Sequence, residues 1–101
     1  MIKKRVHFLV EGRVQGVFFR AYTKDTADRL GLSGWVRNLV DGRVEGCLYG
    51  EDGQIQKMLQ WLQSGPPHAM VNKLHHHPLP DAEHSDSFEI FPTATSPSTD
   101  C

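Results

Sequence analysis

The alternation of apolar and polar positions near the start of the chain predicts a β-strand. Val6, Phe8 and Val10 occupy every second position, which places their side chains on one face of an extended segment. Leu9 makes the opposite face partly apolar, as is typical of a strand inside a sheet, and Gly12 is expected to end the strand.

The spacing then changes to that of a helix, followed by two more strands. The residues Phe19, Thr23, Thr26, Ala27 and Leu30 share one helical face, and Gly31 is a suitable C-terminal stop. Residues 34–40 and 43–49 have the composition of strands, and Asp41-Gly42 between them is a strong signal for a tight hairpin.

A second helix is predicted to begin near Glu51 and Asp52. Its apolar residues follow the i, i+3, i+4, i+7 spacing of one helical face: Ile55, Met58, Leu59 and Leu62. The sequence Ser-Gly-Pro-Pro at 64–67 ends it. Beyond it we expect a weaker strand at 70–74, a loop at 78–85 and a short last strand at 87–91.

The order strand, helix, strand, strand, helix, strand predicts an α+β fold of the ferredoxin-like split βαβ type. Such a fold has an antiparallel sheet, here of four to five strands, with two helices on one face. A chain of 101 residues has room for one domain and one core, which we assign to residues 1–91. Residues 92–101 contain little apolar surface to bury and are expected to form a disordered C-terminal tail.

Composition and charge narrow the classes of function. Hydrophobic residues make up 39% and charged residues 23%, as in folded proteins, and a net charge of −1 gives no general attraction to nucleic acid or to anionic membranes. The sequence has no apolar run long enough for a membrane span or a signal peptide, so we expect a cytoplasmic protein. The two cysteines, Cys47 and Cys101, are expected to be free thiols.

The junction between the first strand and the first helix, residues 12–20, is the candidate anion-binding site. Gly12 and Gly16 permit a tight curve that turns successive N–H groups inward, and the loop runs into the positive end of a helix dipole. Arg20 adds a planar fork that matches two oxygens of a phosphate. From the two glycines alone, an ordinary strand-to-helix turn with a surface arginine would be the better interpretation.

Two ordered segments resemble the signatures of the acylphosphatase family. The first is VEGRVQGVFFR at 10–20, and the second is GWVRN at 34–38, continued by GRV at 42–44 and Gly50. A looser similarity extends over residues 5–91, including SGPPHA at 64–69. The resemblance implies a ferredoxin-like fold and hydrolysis of the carboxyl–phosphate bond of small acyl phosphates, without a metal or other cofactor.

The resemblance also implies roles for particular residues. Arg20 corresponds to the phosphate-binding arginine of the family and Asn38 to its water-orienting asparagine. The backbone N–H groups of Gln15, Gly16, Val17, Phe18 and Phe19 correspond to its phosphate-binding loop. Inorganic phosphate or sulfate is then expected to compete with the substrate. Without the resemblance, Asn38 would be interpreted as a solvated polar residue near a turn.

The histidines offer a metal-binding alternative. His75, His76 and His77 are consecutive, with His68 and His84 nearby. Successive strand residues point to opposite faces, so three in a row rarely converge on one ion. We therefore expect a solvated, irregular strand end and no metal site.

Two other functions remain open from the sequence. A non-catalytic module that binds phosphate or acyl phosphate would also contain the loop, although Asn38 favours the enzyme. An RNA-binding ferredoxin-like domain is disfavoured, because the third strand lacks the spacing of aromatic residues that stacking on bases requires and the net charge of −1 is unsuitable. We expect a monomer that binds small molecules and neither nucleic acid nor membranes.

Overall fold

A computed structural model describes residues 2–80 and 86–98 of the chain. Five strands and two helices follow one another as β1 (Lys3–Arg13), α1 (Phe19–Arg29), β2 (Ser33–Asn38), β3 (Val44–Glu51), α2 (Asp52–Leu62), β4 (Met70–Leu79) and β5 (Phe88–Ile90). Residues 81–85 of the predicted loop, which include His84, and residues 99–101 of the predicted tail lie outside the described parts.

The strands form one sheet in the order β4-β1-β3-β2-β5. All neighbours are antiparallel except β2 and β5, which pair in parallel and make the sheet mixed. The two helices pack together over the strands and enclose one apolar core between helices and sheet. The predicted ferredoxin-like α+β fold is therefore confirmed.

The core contains the apolar residues identified by the strand alternation in β1 and by the helical spacing in α2. From β1 it receives Val6, Phe8 and Val10, and from α2 Ile55, Met58, Leu59 and Leu62, all of them buried. Phe19 anchors the start of α1 in the same core, where its ring lies 5.9 Å from that of Trp61. The first turn of α1 is consequently fixed by packing as well as by its hydrogen bonds.

Strand β4 is longer than its sequence predicts. The prediction ended at residue 74, but β4 continues to Leu79, and His75, His76 and His77 pair in register with Leu9, Phe8 and His7 of β1. The prediction of an irregular end is wrong because the backbone ladder with β1 sets the length of this edge strand. The side chains of β4 are mostly exposed, so their sequence has no apolar pattern from which the pairing with β1 could be predicted.

The connection between β2 and β3 is wider than a two-residue hairpin. Strand β2 ends at Asn38 and β3 begins at Val44. The N–H of Leu39 donates to the carbonyl of Arg43 at 2.8 Å, and the N–H of Gly42 donates to the carbonyl of Leu39 at 3.1 Å. Gly42 has φ +99°, which explains the glycine at this position.

The segment after β5 is ordered against the sheet as far as it is described, so the prediction of a disordered tail is wrong for residues 92–98. The N–H of Ala94 donates to the carbonyl of Asn38, and the carbonyl of Ala94 accepts from the N–H of Val40, both at 3.0 Å. Further on, the N–H of Ser98 donates to Glu45 Oε2 at 2.7 Å. These backbone contacts hold the segment independently of its polar side chains.

A buried charged network underlies this segment. Glu45 is fully buried; His7 Nε2 lies 2.7 Å from its Oε2, and Arg37 Nε donates to its Oε1 at 2.8 Å. A buried carboxylate requires such partners, because desolvation of an unpaired charge is costly. Ser98 supplies another donor, so the network favours the observed position of the C-terminal segment.

Cys47 is disulfide-bonded, which contradicts the prediction of a free thiol. The other cysteine of the chain, Cys101, lies outside the described residues. The prediction assumed a disordered tail, whereas the described part of that segment reaches Glu45, two residues before Cys47, through Ser98. Among the described helices, none is long and apolar enough to cross a bilayer.

Candidate active site

The end of β1 and the loop that follows it contain two glycines with positive φ, Gly12 in the strand and Gly16 in the loop. Gly12 has φ +132° at a β-bulge, and a Cβ there would lie 2.1 Å from the carbonyl oxygen of Met70. Gly16 has φ +74°, and a Cβ there would meet no atom within 4 Å. Gly12 is therefore required by close backbone packing, and Gly16 by conformation alone.

The loop and the start of α1 present unpaired N–H groups. No backbone hydrogen bond within the described chain has the N–H of Gln15, Gly16, Val17 or Phe18 as its donor. Phe19 begins α1, where N–H groups lack acceptors within the helix, and no side chain caps this end. Donors in this arrangement, together with the helix dipole, favour an anion.

Arg20 supplies the positive charge at this end of α1. It is partly buried and forms no ion pair or hydrogen bond with any residue that the structure describes. Arg37 and Arg43, by contrast, are held by Glu45 and Asp41. The guanidinium of Arg20 is thus available to a ligand with a pair of oxygens.

Asn38, the last residue of β2, carries an unusual unpaired group. Its side-chain Oδ1 is buried, yet it has no hydrogen-bond partner among the described residues. Most buried polar atoms in folded proteins are hydrogen-bonded, and an exception calls for an explanation such as a ligand or a water molecule. The backbone carbonyl of Asn38 accepts a hydrogen bond from the N–H of Ala94, which holds the main chain from which this side chain extends.

Gln15 connects the loop to the β2–β3 connection. Its Nε2 donates to the carbonyl of Leu39 at 2.7 Å and to the carbonyl of Arg43 at 2.9 Å. Since Leu39 directly follows Asn38, the amide of Gln15 ties the anion-binding loop to the segment that carries Asn38. The sequence indicated only the backbone N–H of Gln15, and nothing in the spacing signals this contact of its side chain.

These residues surround one cavity of about 370 Å³, lined by Val14, Gln15, Gly16, Phe18, Phe19, Arg20, Ala21, Asn38 and Ile90. Every predicted site residue except Val17 is among them. Val17 is partly buried and packs against the core instead. Sequence reasoning missed Ile90, which reaches the cavity because β5 pairs in parallel with β2.

A charged pair borders the segment beyond Asn38. Asp41 accepts from the N–H of Arg43 at 3.0 Å and from its Nε at 2.9 Å. These hydrogen bonds from Arg43 hold the pKa of the Asp41 carboxyl below its ordinary value, and the same contact raises the pKa of Arg43. The turn is therefore held by an ionised carboxylate at neutral pH.

The histidines occupy another part of the molecule. His75 Nε2 lies 2.5 Å from Glu11 Oε2, and the ring of His77 lies 5.2 Å from that of His7. Across residues 2–80 and 86–98, no group of three or more His, Cys, Asp or Glu side chains is placed to hold a metal ion.

Comparisons with known proteins agree with this geometry. The family model described as Acylphosphatase matches residues 6–90. An acylphosphatase of Rubrobacter xylanophilus is 49% identical over 87 residues, which cover 86% of this chain and 79% of that protein. The structure of an acylphosphatase from Coxiella burnetii superposes with a TM-score of 0.84 at 37% identity, over 88% of this chain and 93% of that one. The acylphosphatase from Bacillus subtilis superposes equally well, with a TM-score of 0.84 at 32% identity, over 89% of this chain and 99% of that one.

Proposed function

This chain belongs to the acylphosphatase family of hydrolases, and from that premise we propose how it hydrolyses small acyl phosphates. The substrate phosphate is held by the guanidinium of Arg20 and by the backbone N–H groups of residues 15–19. Water attacks phosphorus in line with the departing carboxylate, and the products are a carboxylate and inorganic phosphate.

The single observation that carries this proposal is that Asn38, a residue lining the same cavity as Arg20, has a buried side-chain Oδ1 with no hydrogen-bond partner among the described residues. An amide oxygen in that position can accept a hydrogen bond from one hydrogen of the attacking water and so orient its lone pair toward phosphorus. Orientation of this kind lowers the barrier without a change in the charge of the protein.

The proposed chemistry needs neither a protein base nor a metal ion. A carboxylate is a good leaving group, and a phosphate oxygen of the substrate can take the proton that the water loses. Arg20 and the N–H groups stabilise the charge on the equatorial oxygens, which is the main demand of phosphoryl transfer.

The test is turnover of acetyl phosphate by the purified chain, before and after exhaustive chelation. We expect equal rates in both samples, little hydrolysis of phosphate monoesters, and competitive inhibition by inorganic phosphate or sulfate. Loss of activity on chelation, restored by zinc or magnesium, would contradict the metal-free mechanism. Tight phosphate binding without turnover would instead identify a non-catalytic binding module.

We propose that the protein is a monomer. The expected cytoplasmic location conflicts with the disulfide of Cys47, a bond that oxidising compartments maintain more readily than the cytoplasm does. Cell fractionation combined with thiol labelling under denaturing conditions measures both the location and the redox state of this residue, and sedimentation measures the oligomeric state.

A further inference from the structure

Phe18 combines two unfavourable features at the mouth of the candidate site. It has φ +61° and ψ +27°, and it is the one non-glycine residue with positive φ in the described parts of the chain. It also leaves 76% of its surface exposed. A left-handed conformation costs about 1–2 kcal/mol for a residue with a Cβ, and exposure forgoes the gain from burying an aromatic ring.

Packing within the protein does not explain these costs. Phe18 precedes α1 without capping it by a side-chain hydrogen bond, and its neighbour Phe19 is the residue that fills the core. Strained residues that persist in a fold concentrate at ligand sites. Phe18 lines the cavity that also contains Arg20 and Asn38.

A second exposed apolar residue lines the same cavity from another element. Ile90, in β5, leaves 41% of its surface exposed, and Ala21 of α1 adds a small apolar contribution. Lys24 Nζ donates to the carbonyl of Phe88 at 2.8 Å and thereby holds β5 against α1. The positions of Phe18 and Ile90 relative to each other are therefore set by the fold.

The charge of the cavity lining also limits which acyl groups can bind there. Of the described residues that line it, only Arg20 is charged, and the proposed function assigns that charge to the phosphate. An anionic acyl group would find no second cation there, whereas an apolar one would find Phe18 and Ile90.

We infer that Phe18 and Ile90 form an acyl-binding surface that selects acyl phosphates with an apolar, aromatic or branched carbon group. The inference rests on the proposed function, because it takes the phosphate position from Arg20 and the loop amides. It adds the chemical class of the acyl group, which the signature residues leave open.

The test compares ligands that share a phosphonate head and differ only in the apolar group. Methylphosphonate and benzylphosphonate are titrated calorimetrically into the full chain. We expect benzylphosphonate to bind roughly tenfold more tightly, as partial burial of one ring implies. Phe18→Gly and Ile90→Thr are each expected to reduce the ratio of the two affinities, benzylphosphonate over methylphosphonate, by about three- to tenfold. Tyr22→Ala, which changes an exposed aromatic residue of α1 outside the cavity lining, is expected to leave the ratio unchanged.

Phe18→Gly also separates a ligand-binding role from a structural one. Glycine accepts the positive φ and retains the backbone N–H, so the melting temperature is expected to stay the same or rise while the ratio falls. An equal affinity for the two phosphonates, an unchanged ratio in Phe18→Gly, or a marked drop in its melting temperature would overturn the inference.

Turnover of acetyl phosphate and benzoyl phosphate keeps the two proposals distinct. We expect kcat/KM to favour benzoyl phosphate in the wild type, and this preference to decline in Phe18→Gly. Equal hydrolysis of both substrates would contradict the selectivity and leave the hydrolase proposal standing. Phosphonate selectivity without hydrolysis of either substrate would contradict the hydrolase proposal alone.

Discussion

At the scale of single residues, the two proposed catalytic side chains differ in what they contact. Arg20 is expected to hold the phosphate both before and during the reaction, since its charge and donors face oxygens that are present throughout. Asn38 is expected to act on the attacking water only. Binding and turnover should therefore respond differently to the loss of each side chain.

The loss of Asn38 is expected to lower kcat and to leave phosphate binding nearly intact. Asn38→Ala removes the Oδ1 acceptor, and the loss of one oriented contact typically costs about 3–4 kcal/mol, or roughly a hundred- to a thousandfold in rate. Steady-state kinetics with phosphate as the inhibitor measures both kcat and the inhibition constant for phosphate. A folded Asn38→Ala variant with full kcat would show that this residue does not position the water.

The loss of Arg20 is expected to lower both kcat and the affinity for phosphate. Arg20→Ala removes the only charged group among the described residues that line the cavity, so the inhibition constant for phosphate should rise together with the loss of turnover. Arg13→Ala, at the exposed end of β1 and outside the cavity lining, is the matched control. Equal phosphate inhibition in Arg20→Ala and wild type would contradict the assignment.

At the scale of elements, the site depends on how the β1–α1 loop and the β2–β3 connection are held together. The sequence predicts both elements because each has its own signal, Gly12 and Gly16 in the loop and Asp41-Gly42 in the connection. It does not predict the side chain that joins them, because the contacts of Gln15 to Leu39 and Arg43 span 24 and 28 residues. The periodicity of apolar residues shows which face of a helix or strand is buried. It carries no information about which residues 24 or 28 positions away a side chain will contact.

Gln15→Ala is expected to reduce kcat by about tenfold, because Asn38 and the loop lose a shared support while both remain present. The effect should shrink when Asn38 is already alanine, since residues that act together are not additive. Kinetics of the two single variants and the double variant measure this coupling. Full additivity between Gln15→Ala and Asn38→Ala would show that the contact stabilises the fold without positioning Asn38.

The edges of the sheet were harder to predict than its centre for a related reason. In β1, burial on one face leaves an alternating pattern in the sequence. The side chains of β4 lie mostly in solvent, and its length is fixed by backbone pairing to β1. Every residue type can offer its carbonyl to such pairing, including Pro78, which is paired with Val6 and lacks only the N–H donor. The C-terminal segment is likewise held by the N–H groups of Ala94 and Ser98, so its polar composition gave no sign of its position.

At the scale of the whole molecule, the face of the sheet with the buried Glu45 network contributes to stability without taking part in the site. Glu45 and Cys47 lie on β3, and neither lines the cavity. Changes to this face should therefore alter the free energy of unfolding and leave catalysis alone.

Reduction of the disulfide at Cys47 is expected to lower the free energy of unfolding by about 2–4 kcal/mol, the usual contribution of such a bond. Thermal unfolding with and without reductant measures the change, and kcat/KM on acetyl phosphate should be equal in both states. Cys47→Ser provides the control, because reductant should have no further effect on it. A loss of activity on reduction would indicate that the bond also shapes the cavity.

The anion-binding loop has a consequence for how this protein tolerates mutation. Donors that belong to the main chain are encoded by the presence of a residue, so alanine substitutions at residues 15–19 would remove side-chain contacts, such as those of Gln15 and Phe19, and would leave the N–H groups present. Proline is the exception, because it deletes the N–H itself. The contribution of the N–H groups is therefore not measured by replacing side chains, and we expect it to show as an intolerance of proline across the loop.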